Sequence, residues 1–128
     1  MSALTGIAGC GQSAEALREA AETLVPPASR IVAREDGDCF MFADSPTCHT
    51  IGFVRPTAPL EERVDAVREA AGEAGWELEE EVRAEGATFL GYTRGGFKAS
   101  VTLWADFRAK RCGLRPRMDC ADRIRVVR

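Results

Sequence analysis

Five cysteines and one histidine are the residues of this 128-residue chain whose types are best suited to covalent or metal chemistry. Cys39 and Cys48 flank one short segment, and Cys112 and Cys120 flank another, without any CxxC motif. Two tight cysteine loops are typical of small extracytoplasmic domains, whereas the cytosol keeps such thiols reduced. We therefore predict one disulfide between Cys39 and Cys48 and another between Cys112 and Cys120.

Proximity favours these pairings but does not prove them. Each bond would close a loop of about ten residues, which the chain-entropy model values at roughly 2.5–3 kcal/mol. Two alternatives remain open. The thiols are reduced and structural, or Cys39, Cys48 and His49 hold a metal with a distant cysteine, although their spacing is not that of a zinc ribbon.

His49 is the single histidine, so Ser-His or Cys-His catalysis would have to pass through it. A hydrogen-bonded histidine at the start of a strand is the alternative. Residues 79–81 are three successive glutamates, but successive strand residues point to opposite faces, so they do not converge on one acid/base site. The sequence therefore predicts no catalytic residue, no cofactor and no metal, and a small hydrolase or metal protein using His49 ranks last among the functions considered.

Residues 7–10 read Ile-Ala-Gly-Cys, which resembles the lipobox of bacterial lipoproteins, where aliphatic and small residues precede the lipidated cysteine. The resemblance implies a lipid anchor at Cys10 and a place among small, actinobacterial-like lipoproteins or secreted proteins. No basic residue precedes the motif, and its apolar stretch is shorter than that of a signal peptide. A flexible N-terminus is the equal alternative, and an anion-binding loop built from Gly6, Gly9 and Gly11 is a third.

The charge of the chain argues against nucleic acid as a partner. Its net charge is −3 and its pI about 5.3, whereas nucleic-acid binding usually needs a strongly basic face. Residues 61–85 hold ten acidic and three basic side chains, and residues 105–128 hold eight basic and three acidic ones. These two segments are expected to neutralise each other, or else the basic segment binds an anionic partner. No apolar run approaches the ~20 residues of a membrane span.

Hydrophobic periodicity predicts two helices. The first runs from a cap at Ser13 to about Leu24 and places Leu17 and Ala21 on one face. The second spans residues 59–74, with Gly75 as its stop. Its apolar stripe consists of Leu60, Val64, Val67 and Ala71. Alternation and β-branched content predict strands at 30–34, 39–43, 48–54, 76–82, 87–93, 97–104 and 124–127, the last as a closing edge strand.

This order predicts an α+β two-layer sandwich, with a mostly antiparallel sheet of six or seven strands and two helices on one face. Residues 1–12 form a leader or lipoprotein signal remnant, and residues 13–128 form one domain. Arg-Glu-Ala-Ala occurs at 18–21 and again at 68–71, which is weak support for two αβββ halves.

Aromatic side chains mark the candidate binding surface. Trp104 falls on the opposite face of its strand from Val101 and Leu103, so either segment 105–122 covers it or a partner does. Trp76 and Tyr92 are either core residues or part of a ligand surface. The predicted surface consists of Trp104, Arg108, Lys110, Arg111, Arg115 and Arg117.

The sequence thus favours a non-enzymatic, extracytoplasmic binding domain of a small bacterial envelope or secreted protein, whose partner is a protein or an envelope component. An inhibitor or immunity-type protein that blocks a partner enzyme is the alternative. The location follows from the cysteines, since reduced thiols would instead indicate the cytoplasm.

Overall fold

A computed structural model of the protein describes residues 9–38, 47–55, 57–105 and 116–128. Within these ranges the helices are α1 (Gly9–Glu22), α2 (Leu60–Glu73) and the short α3 (Pro116–Asp119). The strands are β1 (Arg30–Asp38), β2 (Thr47–Val54), β3 (Glu77–Arg83), β4 (Ala87–Arg94), β5 (Phe97–Trp104) and β6 (Asp122–Val127).

The six strands form one open sheet in the order β1-β2-β6-β5-β4-β3, and every neighbouring pair is antiparallel. α1 and α2 pack on the same face, because their apolar residues join one core cluster with the inward residues of β2, β4, β5 and β6. The predicted α+β two-layer sandwich is therefore confirmed.

The two long helices form where an apolar stripe can be buried. Leu17, Ala21 and Leu24 are all fully buried, as the helical period predicts. α1 begins at Gly9, before the predicted cap at Ser13, so the last residues assigned to the leader are helical. α2 ends as predicted, since Gly75 follows it with a φ of +84°, a conformation that costs glycine little.

The prediction that the C-terminal strand closes an edge of the sheet is wrong. β6 pairs with β2 on one side and with β5 on the other, so it lies in the middle. Its alternation suits that place, because Ile124 and Val126 enter the core while Arg123 and Arg125 point to the opposite face. The strand order depends on pairing between distant segments, which local pattern does not reveal.

The edges of the sheet are β1 and β3. The strand predicted at 39–43, the second of the first αβββ half, lies outside the described residues. β6 occupies the position beside β2.

α3 and the turn after it pack on the opposite face from α1 and α2, over Gly52. A Cβ placed on Gly52 would lie 3.1 Å from Met118 Sδ and 3.3 Å from Ala121 Cβ. Both distances are closer than ordinary contact, so glycine is what lets this turn approach β2.

Candidate functional site

Two residues of the predicted surface are described, Trp104 and Arg117. Trp104 ends β5 and is half-buried, whereas Arg117 is exposed on α3. Ala121 connects them, because its carbonyl accepts a hydrogen bond from Trp104 and it lines a cavity together with Arg117. The other members of the predicted surface lie outside the described residues, namely Arg108, Lys110, Arg111 and Arg115.

The cysteines are described in part. Cys48 is buried in β2, and Cys120 is half-buried directly after α3. Cys39 and Cys112 lie outside the described residues, so both pairings stay predictions. Cys10 belongs to the first turn of α1 by its backbone, and its lipidation also stays a prediction.

Trp104 is held where β5 ends and β6 begins. Its backbone N–H donates to Asp122 Oδ1 at 3.0 Å, and its indole Nε1 donates to the carbonyl of Ala121 at 2.9 Å. The guanidinium carbon of Arg123 lies 5.8 Å from the centroid of the ring, which is within reach of a cation–π contact. The described end of segment 105–122 therefore folds back on Trp104, as one interpretation of the sequence predicts.

A buried ion pair between Arg63 and Asp122 supports this corner from the helix side. Arg63 is 3% exposed and Asp122 is fully buried. Arg63 Nη1 contacts the two carboxylate oxygens at 3.1 and 2.9 Å, and the other nitrogens donate to the carbonyls of Ala58 at 3.0 Å and Trp104 at 2.7 Å. Burial raises the pKa of Asp122 above its ordinary value, and the bonds from Trp104 and Arg63 partly offset that rise.

The sequence analysis did not predict this pair, although the sequence contains a signal for each of its members. Arg63 lies beside Val64 and one turn before Val67 on the apolar stripe of α2. Asp122 shares the inward face of β6 with Ile124 and Val126. A charged residue at an apolar position is expected to have a buried partner, because an unpaired charge there is costly.

The acidic segment 61–85 forms ion pairs within itself, but they reach only two of its ten acidic side chains. Arg83 forms ion pairs with Glu61 and Glu81, and Arg68 also pairs with Glu81. The hydrogen bond from Arg83 is the main cause that lowers the pKa of Glu81. The buried ion pair links this segment to residues 105–128, but here the arginine belongs to the acidic segment and the aspartate to the basic one, which is the reverse of the expectation.

Trp76 and Tyr92 both belong to the hydrophobic core. Trp76 is 5% exposed, and its Nε1 donates to the hydroxyl of Thr23 at 2.8 Å. Tyr92 is 3% exposed, and burial raises its pKa. Its hydroxyl makes no hydrogen bond within the described part of the chain.

His49 lies on the inward face of β2 and is 1% exposed. Its Nδ1 lies 2.6 Å from Asp36 Oδ1, and its Nε2 lies 3.4 Å from Arg34 Nη1. Since an arginine can only donate, Nε2 accepts, and we assign the proton to Nδ1. The bond to His49 is the main cause that lowers the pKa of Asp36. With both ring nitrogens occupied and the ring buried, this geometry favours a structural role.

The clearest candidate surface is the part of the sheet opposite α1 and α2 that α3 leaves uncovered within the described residues, called the open face below. One row of cross-strand neighbours crosses it through Val82, Phe89, Thr102 and Arg123. Val82 is 43% exposed and Phe89 is 41% exposed, although both are large and apolar. Neither residue belongs to the surface predicted from the sequence, which consists of a tryptophan and basic residues.

The next row of the open face is polar, and its two middle residues have small side chains or none. It runs through Glu80, Gly91, Ser100 and Arg125, and Arg125 Nε donates to the hydroxyl of Thr50 at 3.3 Å. Because Gly91 and Ser100 carry little side chain, a trough of about 430 Å³ lies over them. The open face thus joins an apolar edge to a basic centre.

A separate cavity of about 500 Å³ lies between β1, the end of β2 and α3. Its described lining combines apolar and basic side chains, namely Arg30, Ile31, Val32, Val54, Arg117, Cys120 and Ala121. Arg117 is the link between this cavity and the surface predicted from the sequence.

The fold belongs to the class of α+β sandwiches, and within the described ranges α3 and the turn after it cover only part of the face opposite α1 and α2. Comparison with known protein families, with curated proteins and with solved structures finds no match. Among the residues that the structure describes, no three His, Cys, Asp or Glu side chains are grouped so that they could hold a metal. None of the described helices is both long and apolar enough to cross a membrane.

Proposed function

We propose that this chain is a non-enzymatic, extracytoplasmic binding domain of a small bacterial envelope or secreted protein, and that the open face binds a partner protein. The observation that carries the proposal is the exposed cross-strand pair Val82 and Phe89, which continues through Thr102 to Arg123. Aromatic residues and arginines are enriched in protein interfaces, and exposed apolar neighbours mark such sites.

The gain available from this pair is substantial. Covering the exposed parts of Val82 and Phe89 would remove enough apolar surface from water to contribute on the order of 3 kcal/mol. Arg123, in the same row, already contacts the Trp104 ring, so it would lose little side-chain freedom when a partner binds beside it. These two terms support a small interface with an apolar anchor.

The acidic residues of β3 argue against simple edge-to-edge pairing with another sheet. Four of its seven residues are glutamates, and the strand lies at the edge of the sheet. Charges on an edge strand discourage further strand addition. A partner is therefore expected to bind the face of the sheet through Phe89 and not its edge.

Site-specific photo-crosslinking in the native cell tests the proposal. A photoreactive amino acid is placed at Phe89, and the matched control places it at Leu78, which is 42% exposed on an edge strand but pairs with the core residue Tyr92. We expect a discrete crosslinked product from position 89 that is absent from position 78. If the product is an enzyme that the chain inhibits, the inhibitor alternative is the specific form of this function.

The substitution Phe89→Ser provides a second measurement. It should weaken capture of the crosslinked partner at least tenfold, whereas Leu78→Ser should leave capture within twofold of wild type. Equal crosslinking at both positions, or equal capture by both serine variants, would refute the assignment of the open face.

A further inference from the structure

The cavity between β1, the end of β2 and α3 lies apart from the open-face residue Phe89. Consecutive residues of the edge strand β1, from Arg30 to Val32, form one of its walls. Val54 forms the wall at the end of β2, and Ala121 closes the cavity from the turn after α3. At about 500 Å³, it falls within the range of pockets that hold small organic ligands.

Apolar side chains form part of the wall of this cavity, beside the two arginines. Ile31, Val32 and Val54 are half-buried, and Ala121 is 1% exposed. Ile31 also packs against the main core, so this wall is fixed in place. These side chains favour contact with an apolar group.

The charges of the cavity have one sign. Arg30 and Arg117 are exposed and contribute to its lining, and the described lining contains no Asp or Glu. Neither guanidinium makes a hydrogen bond or ion pair within the described residues. This contrasts with Arg34, which pairs with Glu22 at 2.6 Å, and with Arg63, which pairs with Asp122.

We propose that this cavity binds a small amphiphile, with an apolar chain against Ile31, Val32, Val54 and Ala121 and an oxyanion head group held by Arg30 and Arg117. The planar guanidinium donates two parallel hydrogen bonds to a carboxylate or a phosphate, so two arginines suit either head group. The apolar walls supply the affinity for the chain, because burial of that chain releases it from water. A purely apolar ligand would leave the arginines without a partner, and a simple anion would leave the apolar side chains uncovered.

Calorimetric titration of the full chain tests this proposal with four probes: decanoate, decyl phosphate, decanol and inorganic phosphate, with the amphiphiles kept below their micelle concentrations. We expect decanoate or decyl phosphate to bind at least tenfold more tightly than both decanol and inorganic phosphate. The tighter of the two charged amphiphiles identifies the head group as carboxylate or phosphate. Equal binding of decanol would show that the arginines take no part, and equal binding of inorganic phosphate would show that the apolar walls take no part; either result overturns the proposal.

Variants locate the binding. The double variant R30Q/R117Q should weaken binding of the charged amphiphile at least tenfold. The control K98Q/R128Q also removes two positive charges, but from residues outside the cavity. Its affinity for the charged amphiphile should stay within twofold of wild type. If both double variants bind equally well, the cavity is not the site.

Val32→Phe fills part of the cavity with a larger side chain and leaves the charge of the protein unchanged. It should weaken binding of the charged amphiphile at least tenfold while thermal unfolding confirms that the variant is folded. Unchanged binding by a folded V32F protein would overturn the proposal. Because Phe89 lies on β4, away from this cavity, a failed crosslink at Phe89 and a failed titration are independent results.

Discussion

Replacing Arg63 with methionine should destabilise the protein more than any other single substitution of a charged residue in α2. Methionine keeps most of the aliphatic volume but removes four hydrogen bonds, two of them to Asp122. Asp122 is fully buried, and its remaining bond in the described residues is the one from the Trp104 backbone. Breaking one side of a buried ion pair typically costs about 3–5 kcal/mol, because the other charge is left without compensation.

The measurement is urea unfolding at pH 7, with Arg68→Met as the matched control. Arg68 lies in the same helix and pairs with Glu81, but its side chain is 44% exposed. An exposed ion pair contributes about 1 kcal/mol or less, so R68M should stay close to wild type. R63M should lower the free energy of unfolding by about 3–5 kcal/mol and the melting temperature by roughly 10–20 °C.

The pH dependence of R63M gives a second readout. Burial raises the pKa of Asp122, whereas the Arg63 guanidinium lowers it. Loss of that guanidinium in R63M should therefore raise the pKa of Asp122 further. A carboxyl whose folded pKa exceeds its unfolded pKa binds more protons in the folded state, so stability falls as the pH rises through the interval between the two values. The deficit of R63M relative to wild type should therefore shrink as the pH is lowered from neutral toward the ordinary range of an aspartate.

A double-mutant cycle with Asp122→Asn completes the test. Each single variant leaves a buried partner unpaired, whereas R63M/D122N removes both charges, so the two losses should fall short of additivity by more than ~1 kcal/mol. An R63M loss no larger than that of R68M, or strictly additive losses in the cycle, would refute the assignment of a coupled buried pair.

Two further predictions concern packing and the cysteines. Gly52→Val should cost about 1–3 kcal/mol in urea unfolding, because its side chain would overlap Met118, and unchanged stability would contradict the contact between α3 and β2. Intact mass measured before and after reduction of periplasmically expressed protein should rise by the hydrogens of two disulfides, and five free thiols would remove the main support for an extracytoplasmic location.

The parts of the fold that the sequence predicted are those determined by local pattern. The stripe containing Val64 and Val67 needs only neighbours one turn apart, so α2 could be located without knowledge of the rest. Alternation likewise predicted the strands at 87–93 and 97–104, which the structure contains as β4 and β5. The central position of β6 depends on pairing with β2, which lies some 70 residues earlier, and no local signal reports it.

The candidate site was harder to predict because its parts belong to different strands. Trp104 and Arg117 were selected by residue type, and each lies beside a surface that the structure describes. The apolar row through Phe89 became visible only when the register placed Val82 on one side of it and Thr102 on the other. Arg30 gave no signal, because a basic residue at the start of a strand is usually a solvated one.

The distribution of polar groups between the two faces is consistent with the proposed binding surface, because the groups that stabilise the fold lie elsewhere. On the inward face, the charged residues Arg63 and Asp122 have partners, so the helix layer closes over them. On the open face, Phe89 is 41% exposed, so it buries less apolar surface than a phenylalanine in the core would. Its replacement should therefore cost less stability than replacement of a core phenylalanine. Variation at Phe89 should therefore change binding more than folding, whereas variation at the buried pair should change folding first.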